Sequence, residues 1–184
     1  VKYGGLKFLE AAHIKDLLAI LKWADNPRNA VAGMRVLQIL EGIGPAHASR
    51  CLEHVAAESH SLQALEHFDP PPAAKLHWPK FKALMVGLSA HDGSAGSGWQ
   101  RDVAEARQWY QPYLEQHYEA APQRLADLEQ LEQIAGGYPS RDRFLAELTL
   151  DPPQSSGDLS GPPLLDEDFL ILSTVHSAKG QEWD

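Results

Sequence analysis

Residues 14–55 read IKDLLAILKWADNPRNAVAGMRVLQILEGIGPAHASRCLEHV, and the punctuation of this stretch decides the fold class. Counting from Ile14, apolar residues fall at Leu17, Leu18, Leu21 and Ala24, the i, i+3, i+4, i+7 spacing of one buried helical stripe. Asp25-Asn26-Pro27 stops that helix, because proline pushes the residue before it out of helical geometry. A second helix is predicted over about 28–40, burying Val31, Met34 and Leu37. Gly42-Ile43-Gly44-Pro45 then turns the chain into a third helix that carries Ala48, Leu52 and Val55. Helix, proline stop, helix, glycine turn, helix is the pattern of a mainly α protein.

The same pattern continues downstream. Short helices are predicted around 61–68 and 80–88, separated by the rigid corner Asp69-Pro70-Pro71-Pro72. His91-Asp92-Gly93-Ser94-Ala95-Gly96-Ser97-Gly98 has the composition of a flexible loop. A helix near 102–119 buries Val103, Ala106, Tyr110, Tyr113 and Leu114, with Pro112 placed to kink or break it. Leu125, Leu128, Leu131 and Ala135 form a further stripe that Gly136-Gly137 ends. Ser140 suits the N-cap of a last helix through Phe144, Leu145 and Leu148. Beyond it the character changes. DPPQSSGDLSGPP, residues 151–163, is a linker, and Phe169-Leu170-Ile171-Leu172 reads as a buried strand of the parallel-sheet type.

Composition bounds the function. A chain of 184 residues with 43% hydrophobic and 22% charged residues is a globular protein of one ordinary domain or one module plus pieces of another. No apolar run approaches the ~20 residues that span a bilayer, so no membrane partner is expected. No signal peptide is visible, and the single Cys51 cannot close an internal disulfide, which together point to the cytoplasm. The absence of an initiator Met and the stop at Trp183-Asp184 read as an excised piece of a longer protein. With 25 acids against 16 Lys and Arg, the net charge of −9 argues against a surface that grips nucleic acid all over. It leaves room for a local phosphate site built from backbone amides.

Two segments carry chemistry. In Gly42-Ile43-Gly44-Pro45-Ala46-His47-Ala48, a Gly-hydrophobic-Gly turn between helices is the core of a helix-hairpin-helix. Glycine permits close approach and positive φ, and Pro45 suits a first helical position. The free amides at the start of the next helix can hold a phosphate oxygen without reading sequence, and Arg50 stands about one turn further on. The plainer reading is an ordinary helical corner. In Ser173-Thr174-Val175-His176-Ser177-Ala178-Lys179-Gly180-Gln181-Glu182, a buried strand runs into hydroxyls, a His, a Lys-Gly pair and an acid, the position at which open α/β sheets bind ligands.

This second segment resembles motif V of the UvrD/Rep/PcrA-type superfamily I DNA helicases, T-x-H-x-A-K-G-L-E-[FW]. Thr174, His176, Ala178, Lys179, Gly180, Glu182 and Trp183 match as they stand, and Gln181 replaces the usual Leu. The opening Tyr3-Gly4-Gly5-Leu6-Lys7-Phe8-Leu9-Glu10 with Ile14-Lys15-Asp16 resembles the family's Y-G-G-x-x-F-[FL]-E…I-K-D segment. The two come in family order around an insertion with a G-I-G turn; residues 61–163 are matched by helical character and position alone.

The resemblance implies a part of the second motor half of an ATP-dependent 3′–5′ DNA helicase acting in unwinding and repair. Residues 1–12 would be an edge of the second RecA-like domain, 13–150 the helical insertion, 151–167 a linker, and 168–184 the return strand with motif V. Gly42, Ile43 and Gly44 would contact duplex DNA. Thr174 and His176 would face single-stranded DNA. Tyr3, Gly4, Gly5 and Phe8 would line the single-strand path, the aromatic rings by stacking or by packing. Gly180 and Glu182 would lie at the ATP cleft, Glu182 accepting from a ribose hydroxyl, while Lys179 either contacts phosphate or pairs structurally. ATP and Mg²⁺ would be cofactors of the full-length protein. The sequence contains no G-x-x-x-x-G-K-[ST] phosphate loop, so the fragment alone is expected not to hydrolyse ATP. The remaining helicase domains and DNA are then its partners. The alternative is a regulatory, autoinhibitory or protein-docking module whose acidic surface meets a basic protein and not a duplex.

Other residues have blander readings. Nine histidines lack metal-ligand spacing. Trp109, Tyr110, Tyr113 and Tyr118 form either a stacking platform or, at helical spacing, core and rim. Lys75, His77, Lys80 and Lys82 around Trp78 touch phosphates or make a solvated face. Cys51 reads as a small core residue.

Overall fold

The computed structural model describes residues 5–91 and 93–150. The linker, the predicted strand and motif V lie outside the described residues. The described residues form eight α-helices and two short 3-10 turns, a mainly α architecture. The helices are α1 (Gly5–Glu10), α2 (Ala12–Asp25), α3 (Ala30–Leu37), α4 (Pro45–Ala57), α5 (Trp78–Ala90), α6 (Gln100–His117), α7 (Ala121–Ala135) and α8 (Arg141–Leu150). The 3-10 turns span Leu62–Glu66 and Pro72–Ala74. Among the described residues, no helix is long and apolar enough to cross a membrane.

Helix α2 is the axis of the molecule. The sequence predicts one buried stripe, but Ala19, Ile20 and Trp23 are buried as well as Leu17, Leu18, Leu21 and Ala24. Lys15, Lys22 and Asp25 mark the one side left open, so α2 needs neighbours around most of its circumference, and α1, α3, α5, α6, α7 and α8 all pack against it. It ends where Asn26 N–H bonds Lys22 O at 2.9 Å, one residue before Pro27.

Asn29 then caps α3, its side chain accepting from Ala32 N–H at 3.0 Å. The helix therefore starts two residues later than predicted. The buried face of α3 is Ala32, Gly33, Val36 and Leu37, and Val31 is 83% exposed, which corrects its expected burial. At 100° per residue, Val31 stands about 140° from Val36. Gly33 sets that face. A Cβ there would lie 2.6 Å from Leu52 Cδ2 and 2.7 Å from the Trp23 ring, so α3 sits against α2 and α4 at a distance only glycine allows.

The segment predicted as a helix over 61–68 is the 3-10 turn Leu62–Glu66, and α5 begins at Trp78 with Pro79 in its first turn. Trp78 is locked by its indole N–H donating to Leu65 O at 3.3 Å. Helix α6 runs unbroken through Pro112, and Tyr113 is half-buried, not buried as predicted. Gly136 and Gly137 close α7, their amides bonding Glu132 O at 3.2 Å and Ile134 O at 3.0 Å. Ser140 precedes α8 as predicted, but its hydroxyl donates to the Asp142 carboxylate.

Three polar networks tie the helices. Arg141, 4% exposed, donates to Asp102 at 2.8 Å, Asp25 at 3.0 Å and Leu88 O at 2.9 Å, joining α2, α5, α6 and α8. His91 Nδ1 meets the other Asp102 oxygen at 2.8 Å. Between α2 and α7, Arg124 Nη1 lies 3.0 Å from His13 Nδ1, and His13 Nε2 lies 3.0 Å from Asp127. Guanidinium only donates, so His13 Nδ1 accepts and its Nε2–H donates to Asp127. Asp16 on α2 accepts from Tyr110 Oη at 2.5 Å and Arg35 Nε at 2.6 Å, joining α6 and α3.

Candidate nucleic-acid interface

After α3 the backbone tightens into single-turn bonds, Ile39 N–H to Val36 O, Leu40 N–H to Leu37 O and Ile43 N–H to Leu40 O, at 3.1–3.2 Å. These steps carry the chain into the turn at Gly42, whose φ of +81° lies in the left-handed region. A Cβ on Gly42 would stand 2.5 Å from Ala73 Cβ. The glycine thus answers two demands, a backbone twist and contact with the Pro72–Ala74 turn.

Ile43 points inward, 4% exposed, and anchors the turn in the core. Any contact with a phosphate must come from the backbone around it. Gly44 faces solvent with nothing within 4 Å of its Cβ position, and at φ −83°, ψ 178° it is the N-cap of α4. Pro45 follows in the first turn, and the first intrahelical bond is Ala48 N–H to Gly44 O at 3.0 Å. The amides of Ala46 and His47 precede that bond, at the positive end of the helix dipole. Arg50 is exposed one turn along. Nothing acidic occupies the first turn of α4.

The other predicted site residues are placed differently. Phe8 is buried at 9% exposure in the same apolar cluster as Ile14, so packing and not stacking occupies its ring. Gly5 begins α1. Tyr3, Gly4, Thr174, His176, Lys179, Gly180 and Glu182 lie outside the described residues. The structure brings Gly42, Ile43, Gly44 and Arg50 together and does not describe the single-strand or nucleotide sets.

The aromatic group belongs to the core and its rim. Trp109 packs on Phe81 and Tyr113 at 5.6 and 4.8 Å between ring centroids, and Tyr110 is buried. Burial and the Asp16 carboxylate push the Tyr110 hydroxyl well above its usual range. An open cleft of about 370 Å³ beside it is lined by Arg35, Gln38, Tyr113 and His117, with Asp16 among its walls. Tyr110 donates to Asp16, and Arg35 to Asp16 and to Ala12 O at 3.1 Å, so the cleft offers a structural network before it offers a ligand site. Among the described residues, no group of three or more His, Cys, Asp or Glu could hold a metal ion. What sequence reasoning missed is Ala73, the residue beneath the turn; alanine in a Pro-rich corner carries no signal of a partner 31 positions away. No family model matches the chain, and no curated protein or solved structure is significantly similar to it.

Proposed function

We propose that the chain belongs to the second motor half of a UvrD/Rep/PcrA-type 3′–5′ DNA helicase, and that its helical body is the insertion that steadies duplex DNA ahead of the unwinding junction. The observation that supports this most directly is the turn at Gly42–Gly44, with its left-handed first glycine, inward Ile43, open Gly44 and the uncommitted amides of Ala46 and His47. As a helix-hairpin-helix turn it would hold a backbone phosphate by N–H donors and the α4 dipole, without reading bases. Arg50 would add a charge-assisted contact.

Motif V completes the reading. Thr174 and His176 would follow the single strand, and Gly180 and Glu182 would border the nucleotide, with Glu182 accepting from a ribose hydroxyl. Bound ATP and Mg²⁺ would supply the free energy of hydrolysis in the intact enzyme. The residues named for that site lie outside the described ones, and the phosphate loop would belong to the other motor half.

The test is fluorescence anisotropy of the chain with a labelled hairpin duplex and a matched single strand at two salt concentrations, comparing wild type with Gly44→Asp. An aspartate at this N-cap can accept from the α4 amides, which preserves the helix and blocks the phosphate. Weak duplex binding, about 10–100 µM at low salt, should vanish at high salt and in the variant. Equal silence of both proteins makes the turn a corner, and the protein-docking alternative then takes its place.

A further inference from the structure

We infer that the cleft between the C-terminal ends of α3 and α6 binds one nucleobase, carried by a free nucleoside or by an unpaired position of a strand. The inference goes beyond the duplex reading of the turn and does not depend on it. The cleft holds about 370 Å³, within the range that takes small ligands. Its walls are fixed from below. Asp16 of α2 accepts from Tyr110 of α6 at 2.5 Å and from Arg35 of α3 at 2.6 Å, and Arg35 Nη2 also donates to Ala12 O at 3.1 Å. On the far wall, the Arg124 guanidinium lies 4.0 Å from the centre of the Tyr118 ring and holds it in place.

That network leaves four polar groups of the lining with no hydrogen bond to the described residues: Arg35 Nη1, Tyr113 Oη, Gln38 Oε1 and His117 Nε2. His117 Nδ1 lies 2.7 Å from Tyr113 O and must donate to it, so Nε2 of the neutral ring accepts. Gln38 Nε2 donates to Met34 O at 3.1 Å, which leaves its carbonyl as an acceptor. Burial pushes the Tyr113 hydroxyl above its usual range, so it stays a donor at neutral pH. Two donors and two acceptors therefore stand among the apolar faces of Tyr113, Tyr118 and Ile39. Other ligands fit this set less well. Asp16 is the one carboxylate of the lining and is matched twice, and Arg35 beside it repels a metal ion or an ammonium group. A phosphate would find two of the three Arg35 nitrogens committed, no lysine in the lining, and two helix C-terminal ends whose dipoles disfavour an anion. An aliphatic chain would leave the polar groups unpaired. A flat heteroaromatic ring stacks on tyrosine and carries donors and acceptors along its edge.

The experiment titrates the chain into 2-aminopurine riboside, a nucleoside whose fluorescence is quenched by stacking, and into a single strand carrying one 2-aminopurine. It compares wild type with Gln38→Ala/His117→Ala, Tyr113→Leu and the control Arg28→Ala. Gln38, His117 and Arg28 are exposed, so their variants keep the fold, which circular dichroism checks; the pair variant carries the test if Tyr113→Leu does not fold. Wild type should quench saturably with a Kd on the order of 0.1 mM. The pair variant should bind about tenfold more weakly through its two lost acceptors, and Tyr113→Leu about tenfold more weakly through lost stacking. The control should match wild type. Saturation by the riboside makes a free nucleoside the source of the base, saturation by the labelled strand alone makes the strand its source, and either upholds the site. No saturable quenching with either probe overturns it, as does wild-type affinity in a folded cleft variant or equal loss in the control. A fully paired duplex offers the cleft no base, so this reading and that of the Gly44 turn fail separately.

Discussion

Cys51 is fully buried on α4, and burial pushes its thiol from an ordinary 9.0 up to about 12. Because the folded pKa is the higher one, the associated stability is present below pH 9 and is lost as pH rises, when the unfolded chain can ionise and the folded one cannot. Cys51 should resist a thiol reagent at pH 8 in the native protein and react at once in denaturant, and Cys51→Ala should flatten the fall in urea midpoint between pH 9 and about 11. Gly33 makes the complementary case. Alanine would gain about 1 kcal/mol of helix propensity in α3, but its Cβ meets Leu52 and the rigid Trp23 ring below 3 Å. The clash wins. Gly33→Ala should lower stability by about 1–3 kcal/mol in denaturant titration. A smooth gain in stability would mean that α3 can move away from α2.

At the level of elements, the Arg141–Asp102 pair decides how α8 is held. Both side chains are almost fully buried, and the two remaining Arg141 bonds reach α2 and α5. Removing Arg141 leaves the buried Asp102 carboxylate with His91 alone and one oxygen unmatched, so Arg141→Met should cost about 3 kcal/mol by chemical denaturation. The double variant with Asp102→Leu should recover part of that loss. None of this was visible in the sequence. Helix stops at Asn26-Pro27 and Gly136-Gly137 are written in local residues, because they act on the backbone within a turn of themselves. A charged residue such as Arg141, Asp102 or Arg124 looks solvated until other helices bring its partners.

For the whole molecule, the burial of α2 on every side but the one carrying Lys15 and Lys22 makes one cooperative unit out of its six packing partners. Its amides should be the slowest to exchange with deuterium, and α1 and the 93–98 loop the fastest, in native-state exchange read by mass spectrometry. Faster exchange in α2 than in α7 would refute that hierarchy. The candidate interface follows the same logic. The Gly42-Ile43-Gly44-Pro45 turn was legible because glycine, a hydrophobic anchor and proline each constrain their own backbone. Its neighbourhood was not, since Gly42 and Ala73 meet only when α3, α4 and the Pro72–Ala74 turn are assembled.

The sequence by itself determined the helical class, most helix ends and the site of the turn. Each depends on interactions between residues within about four positions of one another. Tertiary structure alone decided that α2 is central, that Val31 faces solvent and Gly33 does not, and which charges are buried. Burial and proximity are properties of packed faces, and no periodicity along one helix states which other helix will cover it.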